Sequence, residues 1–128
     1  MKKEIVATRL APAAIGPYSQ AVKVGQFVYL SGQIGLDPAV GELVAGGFEA
    51  QVRQAFANLT QVVSAAGGTL ANVVKLTLFL TDLSDFGRVN EIMAEQMPQP
   101  FPARSTVGVA SLPKGALFEV EAILALTA

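Results

Sequence analysis

The clearest pattern of apolar positions along the chain is helical and runs from Phe48 to Ala66. Apolar residues recur there at steps of three and four, which places them on one face of a helix. They are Val52, Ala55, Phe56, Leu59, Val62, Val63 and Ala66. Gly67-Gly68 follows directly and is typical of a helix C-terminus. The pattern predicts a helix that packs one apolar face against a sheet.

A second helical pattern begins after Asp82 or Ser84, either of which can cap a helix N-terminus, and runs to about Met97. Its apolar stripe is Phe86, Val89, Ile92, Met93 and Met97. Three prolines at positions 98, 100 and 102 then prevent the helix from continuing. The pattern predicts a shorter second helix.

Between the two helices the period changes from about 3.6 to 2, as expected of a strand over 73–80. One face carries Val74, Leu76, Leu78 and Leu80, and the other carries Lys75, Thr77, Phe79 and Thr81. We expect the first face to lie under the helices. The second is too apolar for open water and too mixed for a core, so we expect it to pack against sister subunits.

Further strands are predicted near Ile5, within 22–36 around the β-rich run 27–34, and over 104–111 and 117–126. Asp37-Pro38 and Gly41-Glu42 indicate a hairpin tip. The order of strands, helix, strand, helix, strands predicts an α+β fold with both helices on one face of the sheet. With 128 residues, the chain is expected to form one domain over 1–128.

Charged residues make up only 15% of the sequence, against about 25% in an average domain, while apolar residues make up 52%. So few charges suggest that other chains cover part of the surface. The net charge of −1 gives no electrostatic attraction to nucleic acid or to a membrane. Met1-Lys2-Lys3 is followed by Glu4 rather than an apolar segment, so we expect a cytoplasmic protein.

The chain contains neither Cys nor His. Disulfides, thiol nucleophiles, imidazole bases and the usual zinc sites are therefore excluded. Any proton transfer has to use Glu, Asp, Lys, Tyr or water.

The run Phe101-Pro102-Ala103-Arg104-Ser105-Thr106 places a guanidinium at the start of one strand, and Glu119 and Glu121 lie on one face of the next. A guanidinium can hold a carboxylate through two parallel hydrogen bonds, and a carboxylate can orient or deprotonate water. Composition alone favours solvated surface charges for these residues, and a simple packing role for Tyr18, which follows Gly16-Pro17.

The chain resembles the Rid family, the reactive intermediate deaminases also called YjgF-type, over essentially its whole length. The stretches that carry the resemblance are, in order, 11–20 (Ala-Pro-Ala-Ala-Ile-Gly-Pro-Tyr-Ser-Gln), 31–34 (Ser-Gly-Gln-Ile), 74–77, 82–86, Val89-Asn90, 102–106 (Pro-Ala-Arg-Ser-Thr), 112–114 and 119–122. The resemblance implies a chorismate-mutase-like fold and a homotrimer with three clefts between subunits. It also implies cofactor-independent hydrolysis of 2-imino acids such as 2-iminobutanoate and 2-iminopropanoate, and hence removal of reactive metabolites.

The same resemblance implies roles for individual residues. Arg104 would hold the substrate carboxylate, and Glu119 rather than Glu121 would position the attacking water. The other implied residues are Tyr18 and Ser31 lining the cleft, Gly32 and Thr106 binding through their backbones, and Asn90 supporting the site. Thr106 departs from the family, because several members carry Cys at this position.

Strand geometry gives an independent argument about the site. If the last two strands pair as a hairpin that turns near Lys114, Arg104 lies opposite a residue near Leu124, and Glu119 is about 17 Å away along the strand. One cleft then uses both groups only if a second chain supplies one of them, or if the two strands are not neighbours. We expect a site between subunits.

Two other functions are compatible with the same residues. The chain could be a non-catalytic trimer that binds small carboxylates as a sensor, in which case Arg104 would matter and Glu119 would not. RNA binding or cleavage, which has been suggested for members of the family, is disfavoured by the net charge of −1.

Overall fold

The computed structural model describes residues 2–126. Its strands are β1 (Lys3–Val6), β2 (Ala21–Val24), β3 (Phe27–Gln33), β4 (Leu36–Asp37), β5 (Glu42–Leu43), β6 (Val73–Leu80), β7 (Ala103–Gly108) and β8 (Phe118–Ala125). The helices are α1 (Gly47–Ala65) and α2 (Phe86–Gln96), with 3-10 turns at Leu70–Asn72, Leu83–Asp85 and Pro113–Gly115. The predicted α+β order and both helices are confirmed.

Six strands form one sheet in the order β1-β2-β3-β8-β6-β7, and β4 with β5 forms a separate hairpin. All neighbours in the large sheet are antiparallel except β6 and β7, which are parallel. A parallel pair cannot be joined by a tight turn, and α2 supplies the required crossover. The sheet is therefore mixed, with the helices as its second layer.

The core lies between the sheet and the helices, because each element presents an apolar face there. Phe56 of α1 is fully buried and stacks on the ring of Phe118 in β8, with ring centroids 6.0 Å apart. The predicted stripe of α1 is buried along its whole length. In α2, Val89, Ile92 and Met93 are buried, whereas Phe86 is 40% exposed at the start of the helix.

One assignment of faces in β6 is wrong. Leu76, Leu78 and Leu80 point into the core as predicted, but Val74 is 44% exposed and Val73 is buried instead. The pairing with β8 shifts register between Val73 and Lys75, so the alternation is interrupted at this point.

The last two strands do not form the hairpin that was one of the two arrangements left open by the sequence. β7 and β8 are not neighbours, because β6 lies between them and pairs with both. Both strands are also shorter than expected, ending at Gly108 and Ala125 rather than Ser111 and Leu126.

The sheet face away from the helices, here called the open face, carries both apolar and charged side chains. They are Phe27 and Tyr29 of β3, Lys75, Thr77 and Phe79 of β6, Val107 of β7, and Glu119 and Glu121 of β8. Phe27, Tyr29 and Val107 are each at least 40% exposed. The mixed face predicted for β6 is therefore part of a larger surface of the same character.

Candidate active site

Arg104 points to the helix side of the sheet. In the parallel pairing of β7 with β6 it lies opposite Leu76, whose side chain is fully buried in the core. Paired residues in neighbouring strands share a face, so the arginine extends toward α2. Its Nη1 donates a hydrogen bond of 2.5 Å to Oδ1 of Asn90 and lies 3.7 Å from Sδ of Met93.

The guanidinium of Arg104 has no negatively charged partner within residues 2–126, since none of the ion pairs there involves it. Its central carbon lies 5.1 Å from the ring centroid of Phe86, over the ring face. Neutral groups thus hold the side chain in place without cancelling its charge. Such a fork is available to an external carboxylate.

Thr106 lies two residues further along β7, on the same side as Arg104 and opposite the buried Leu78. Its Oγ1 is the one buried side-chain oxygen or nitrogen of the described residues that lacks a hydrogen-bond partner. Arg104, Asn90 and Thr106 are therefore brought together as one group, here called the arginine group.

Glu119 lies elsewhere, beside a cavity of about 340 Å³. Tyr18 and Gly32 line the same cavity, so three of the predicted residues meet there. The remaining lining comes mainly from the loops on either side, and consists of Pro12, Ala13, Ile15, Gln20, Gln33, Ile34, Leu36, Pro38, Ala39, Val40, Gly41, Pro113 and Lys114. The cavity is thus mostly apolar, with one carboxyl group on its wall.

The carboxyl group of Glu119 lies directly against the backbone of Gly32. A Cβ at position 32 would be 2.5 Å from Oε2 of Glu119, a distance that real atoms do not tolerate. A side chain at this position would therefore displace the carboxyl group from the place it occupies. The backbone of Gly32 and the acid of Glu119 consequently face the same small volume.

Burial of the carboxyl group, and after it the negative charge of Glu121, raises the pKa of Glu119 above the ordinary value for Glu. A raised pKa makes the group a better proton acceptor near neutral pH. Glu121 lies on the same face of β8, as the sequence predicts, but it does not line the cavity. Of the two acids, Glu119 is the one beside the cavity.

Ser31 is not part of the cavity lining. The hydroxyl group of Ser31 donates a hydrogen bond of 2.6 Å to the carbonyl oxygen of Ser19. The backbone N–H of Ser31 donates to the carbonyl oxygen of Gln20 at 3.0 Å. The side chain of Gln20 is buried and bonds the backbone of Thr8 at both its N–H and its carbonyl group. Ser31 and Gln20 therefore hold the loop that carries Tyr18 against β3.

The arginine group and the cavity lie on opposite faces of one sheet. Arg104 is opposite Leu76 in β6, whereas Glu119 is opposite Phe79, three positions further along the same strand. Because side chains alternate between faces, an odd separation reverses the direction, and three residues add about 10 Å along the strand. One chain does not bring Arg104 and Glu119 together.

Two parts of the cavity wall were not predicted from the sequence. Lys114 lines it from a backbone with φ 58°, a left-handed conformation that is uncommon for a residue other than glycine. The tip of the β4–β5 hairpin, from Pro38 to Gly41, forms another wall. The Leu112-Pro113-Lys114 run contributes to the family resemblance, but its residue types alone do not indicate a position beside a cavity.

Two further properties concern the described residues. Within 2–126, no three side chains of the types His, Cys, Asp or Glu are grouped so that they could hold a metal ion. No helix in this part of the chain combines the length and the apolar character needed to cross a membrane.

Comparison with curated proteins finds relatives that match nearly the whole chain. A curated protein of Dermatophagoides farinae, named 2-iminobutanoate/2-iminopropanoate deaminase, is 50% identical over 124 residues, which are 97% of each chain. A human protein with the same name is 48% identical over 94% of this chain and 88% of its own.

Solved structures of similar proteins have the same fold over nearly the whole chain. The crystal structure of RidA from an Antarctic Psychrobacter has a TM-score of 0.93 and 51% identity, and the match covers 96% of this chain and 99% of that one. The family model described as endoribonuclease L-PSP matches residues 8–126. The chain therefore belongs to the endoribonuclease L-PSP family, in which its relatives include the Rid proteins.

Proposed function

We propose that this protein is a deaminase that hydrolyses 2-imino acids such as 2-iminobutanoate and 2-iminopropanoate to 2-keto acids and ammonia. The observation that carries the proposal is the pair of curated relatives named for this activity at 48% and 50% identity over nearly the whole chain. Two features of the site support it: Arg104 has no negative partner in the described chain, and Glu119 has a raised pKa beside an apolar cavity.

We further propose that each active site forms between two chains of a homotrimer. Arg104 and Glu119 lie on opposite faces of the sheet, so a site that uses both needs the arginine group of one chain and the cavity of its neighbour. The exposed apolar residues of the open face, such as Phe27 and Tyr29, would be covered by the same assembly. A ring of this kind uses one repeated head-to-tail contact.

In the assembled site, Arg104 would bind the carboxylate of the imino acid through its planar fork. Asn90 would keep the fork in position, and the backbone groups of Thr106 and Gly32 would provide further hydrogen bonds. The alkyl group of the substrate would lie in the apolar cavity beside Tyr18. These contacts would place the imine carbon next to Glu119.

The reaction needs one water molecule and no redox step. Glu119 would take a proton from water while the water oxygen attacks the imine carbon, and the electron pair of the C=N bond would move to nitrogen. Starting from the protonated imine, the acid would return this proton to nitrogen, which gives a tetrahedral intermediate with a hydroxyl and an ammonium group. The carboxylate would then take the hydroxyl proton as the C=O bond forms and the C–N bond breaks, so that ammonia leaves. An iminium carbon is already electrophilic, so binding and one proton acceptor suffice.

The proposed reaction needs no cofactor, because water supplies the protons and the carboxyl group of Glu119 transfers them. We propose that the protein forms one domain over 1–128, acts in the cytoplasm, and removes reactive imines that dehydratases release.

A coupled assay tests the activity. Threonine dehydratase generates 2-iminobutanoate, which reacts with semicarbazide faster than the 2-keto acid does, so an active deaminase lowers the initial rate of semicarbazone formation. We expect the wild-type chain to accelerate loss of the imine, and Arg104→Ala to accelerate it only slightly. Arg53→Ala is the matched control, because Arg53 makes surface ion pairs with Glu49 and Glu95. No acceleration by the wild type, or equal rates for wild type and Arg104→Ala, would refute the proposal.

The family description favours one other function, because it names an endoribonuclease. The net charge of −1 and the absence of His give no usual means of binding or cleaving RNA. Incubation with a labelled single-stranded RNA at low salt tests this function directly. Cleavage that is lost in Arg104→Ala but kept in Arg53→Ala would support it.

A further inference from the structure

Helix α1 carries two amide side chains on its otherwise apolar buried face. Gln51 and Asn58 are seven positions apart, which is about two helical turns, and are 7% and 1% exposed. A buried amide costs free energy unless it forms hydrogen bonds. The bonding partners of these two side chains therefore indicate why they are tolerated at positions where the helix otherwise has Val, Ala, Phe or Leu.

Asn58 binds the segment that follows β3. Its Nδ2 donates to the carbonyl oxygens of Ile34 at 3.1 Å and Leu36 at 2.8 Å. Its Oδ1 accepts from Nε2 of Gln54 at 2.9 Å, which fixes the direction of the amide. Ile34 and Leu36 both line the cavity beside Glu119. Asn58 thus holds one wall of the cavity to α1.

Gln51 binds the chain at the start of β8. Its Oε1 accepts a hydrogen bond of 2.9 Å from the backbone N–H of Leu117, two residues before Glu119. The backbone of Gln51 also lies against Gly35, which is between Ile34 and Leu36 in the segment that Asn58 holds. A Cβ on Gly35 would be 2.7 Å from the Cα and the carbonyl oxygen of Gln51. Gln51 therefore contacts both the strand that carries the acid and the segment that follows Gly32.

The geometry points to Gln51 as a positioning residue for Glu119, while Asn58 holds the cavity wall formed by Ile34 and Leu36. This inference rests on the proposed deaminase activity. β3 and β8 pair at Gln33 and Val120, but the pairing is interrupted between Leu30 and Gln33, where Gly32 lies. Both segments are also bonded to α1, so the helix helps to hold this interrupted part of the sheet. If the bond to Leu117 is lost, the start of β8 can shift relative to Gly32, and a shift of about 1 Å at a reacting group can cost roughly 100-fold in rate.

Two substitutions at Gln51 separate positioning from simple filling of space. Gln51→Met has a similar size but no acceptor, whereas Gln51→Glu keeps an oxygen that accepts from Leu117. We expect Gln51→Met to lower kcat roughly tenfold or more with KM changed less than about twofold, because Arg104 still binds the carboxylate. We expect Gln51→Glu to retain most of the wild-type kcat. Gln61→Met makes the same change on the same helix at a half-buried position, and it should leave kcat and KM unchanged.

Equal kcat values for Gln51→Met and wild type, or equal losses in Gln51→Met and Gln51→Glu, would overturn the inference while leaving the deaminase activity intact. Hydrogen–deuterium exchange at the Leu117 amide provides a second readout that needs no activity. In the wild type this amide should be protected, although Leu117 is 37% exposed. A Leu117 amide that exchanges as fast as a free loop amide in the wild type would refute the inference, even if Gln51→Met does not fold or the chain has another activity.

Discussion

Mixing two variants, each lacking one of the two groups, tests the proposal that Arg104 and Glu119 act from different chains. Arg104→Ala removes the fork on the helix side of the sheet and leaves the cavity intact. Glu119→Ala removes the acid from the cavity and leaves the arginine group intact. Each variant alone should have little activity. A mixed ring, however, can join the intact arginine group of one chain to the intact cavity of the next.

The size of the recovery follows from the arrangement of the sites. In a ring assembled at random from equal amounts of the two variants, a cleft works only when the chain that gives the arginine is Glu119→Ala and its neighbour is Arg104→Ala. Each condition holds for about half of the chains, so about one quarter of the clefts should be intact. A site contained within one chain would give none, because every chain lacks one of the two groups.

The assay unfolds the two variants together, refolds the mixture and measures imine loss per chain with the dehydratase-coupled reaction. The same variants refolded separately and combined afterwards should remain inactive. As a positive control, Arg53→Ala replaces Arg104→Ala in the mixture, and about half of the clefts should then work, because only Glu119 is missing from half of the chains. No recovery in the first mixture, alongside recovery in this control, would refute a shared site.

Four further perturbations test other parts of the structure. Gly32→Ala should lower kcat at least tenfold, since its Cβ would collide with Glu119, and the mixed-ring assay should assign the loss to the cavity chain. Because burial, and then Glu121, raises the pKa of Glu119, kcat/KM should fall as pH falls through a pKa above the ordinary Glu value. The raised pKa also means that wild-type stability is lost as pH rises through it, so Glu119→Gln should raise Tm at pH 8 but not below the unfolded pKa. Phe56→Ala should reduce the free energy of unfolding by about 3–5 kcal/mol in urea titrations, because Phe56 is fully buried against Phe118.

Much of the architecture could be predicted from periodicity. The apolar stripe of α1 has seven members at helical spacing, and its predicted range of 48–66 differs from the observed Gly47–Ala65 by one residue at each end. The alternation over 73–80 gave the bounds of β6. Such patterns are reliable where one face of an element is buried continuously, because burial then repeats with the period of the element.

The pairing of strands could not be predicted in the same way. Alternation shows which residues share a face, but it does not show which strand lies beside which. The insertion of β6 between β7 and β8 depends on the crossover through α2, so the sequence could not decide between a hairpin of the last two strands and the separated arrangement that the structure has. The register shift at Val74 was also hidden, because a bulge leaves the composition of a strand unchanged.

Arg104 and Glu119 stood out in the sequence only through the family resemblance, since exposed arginines and glutamates are common. The walls of the cavity were not foreseen, because they come from loops whose positions depend on tertiary contacts. One signal was present, however: Gln51 and Asn58 interrupt an apolar helical face at a spacing of seven. Polar residues on a buried stripe indicate hydrogen bonds to other buried polar groups, and here those groups are backbone atoms of the segments beside Glu119.

The separation of the two groups within a chain also has a consequence for their charges. If Arg104 lay beside Glu119 in the free chain, the cation would lower the pKa of the acid, and the acid would occupy the fork. Apart, Arg104 keeps its charge unpaired and Glu119 keeps a raised pKa from burial and from Glu121. In a cleft shared by two chains, the substrate carboxylate would lie on the fork and offset its charge. The bound substrate would thereby help to preserve the proton affinity that Glu119 needs to activate water, which links binding of the acid group to the chemical step.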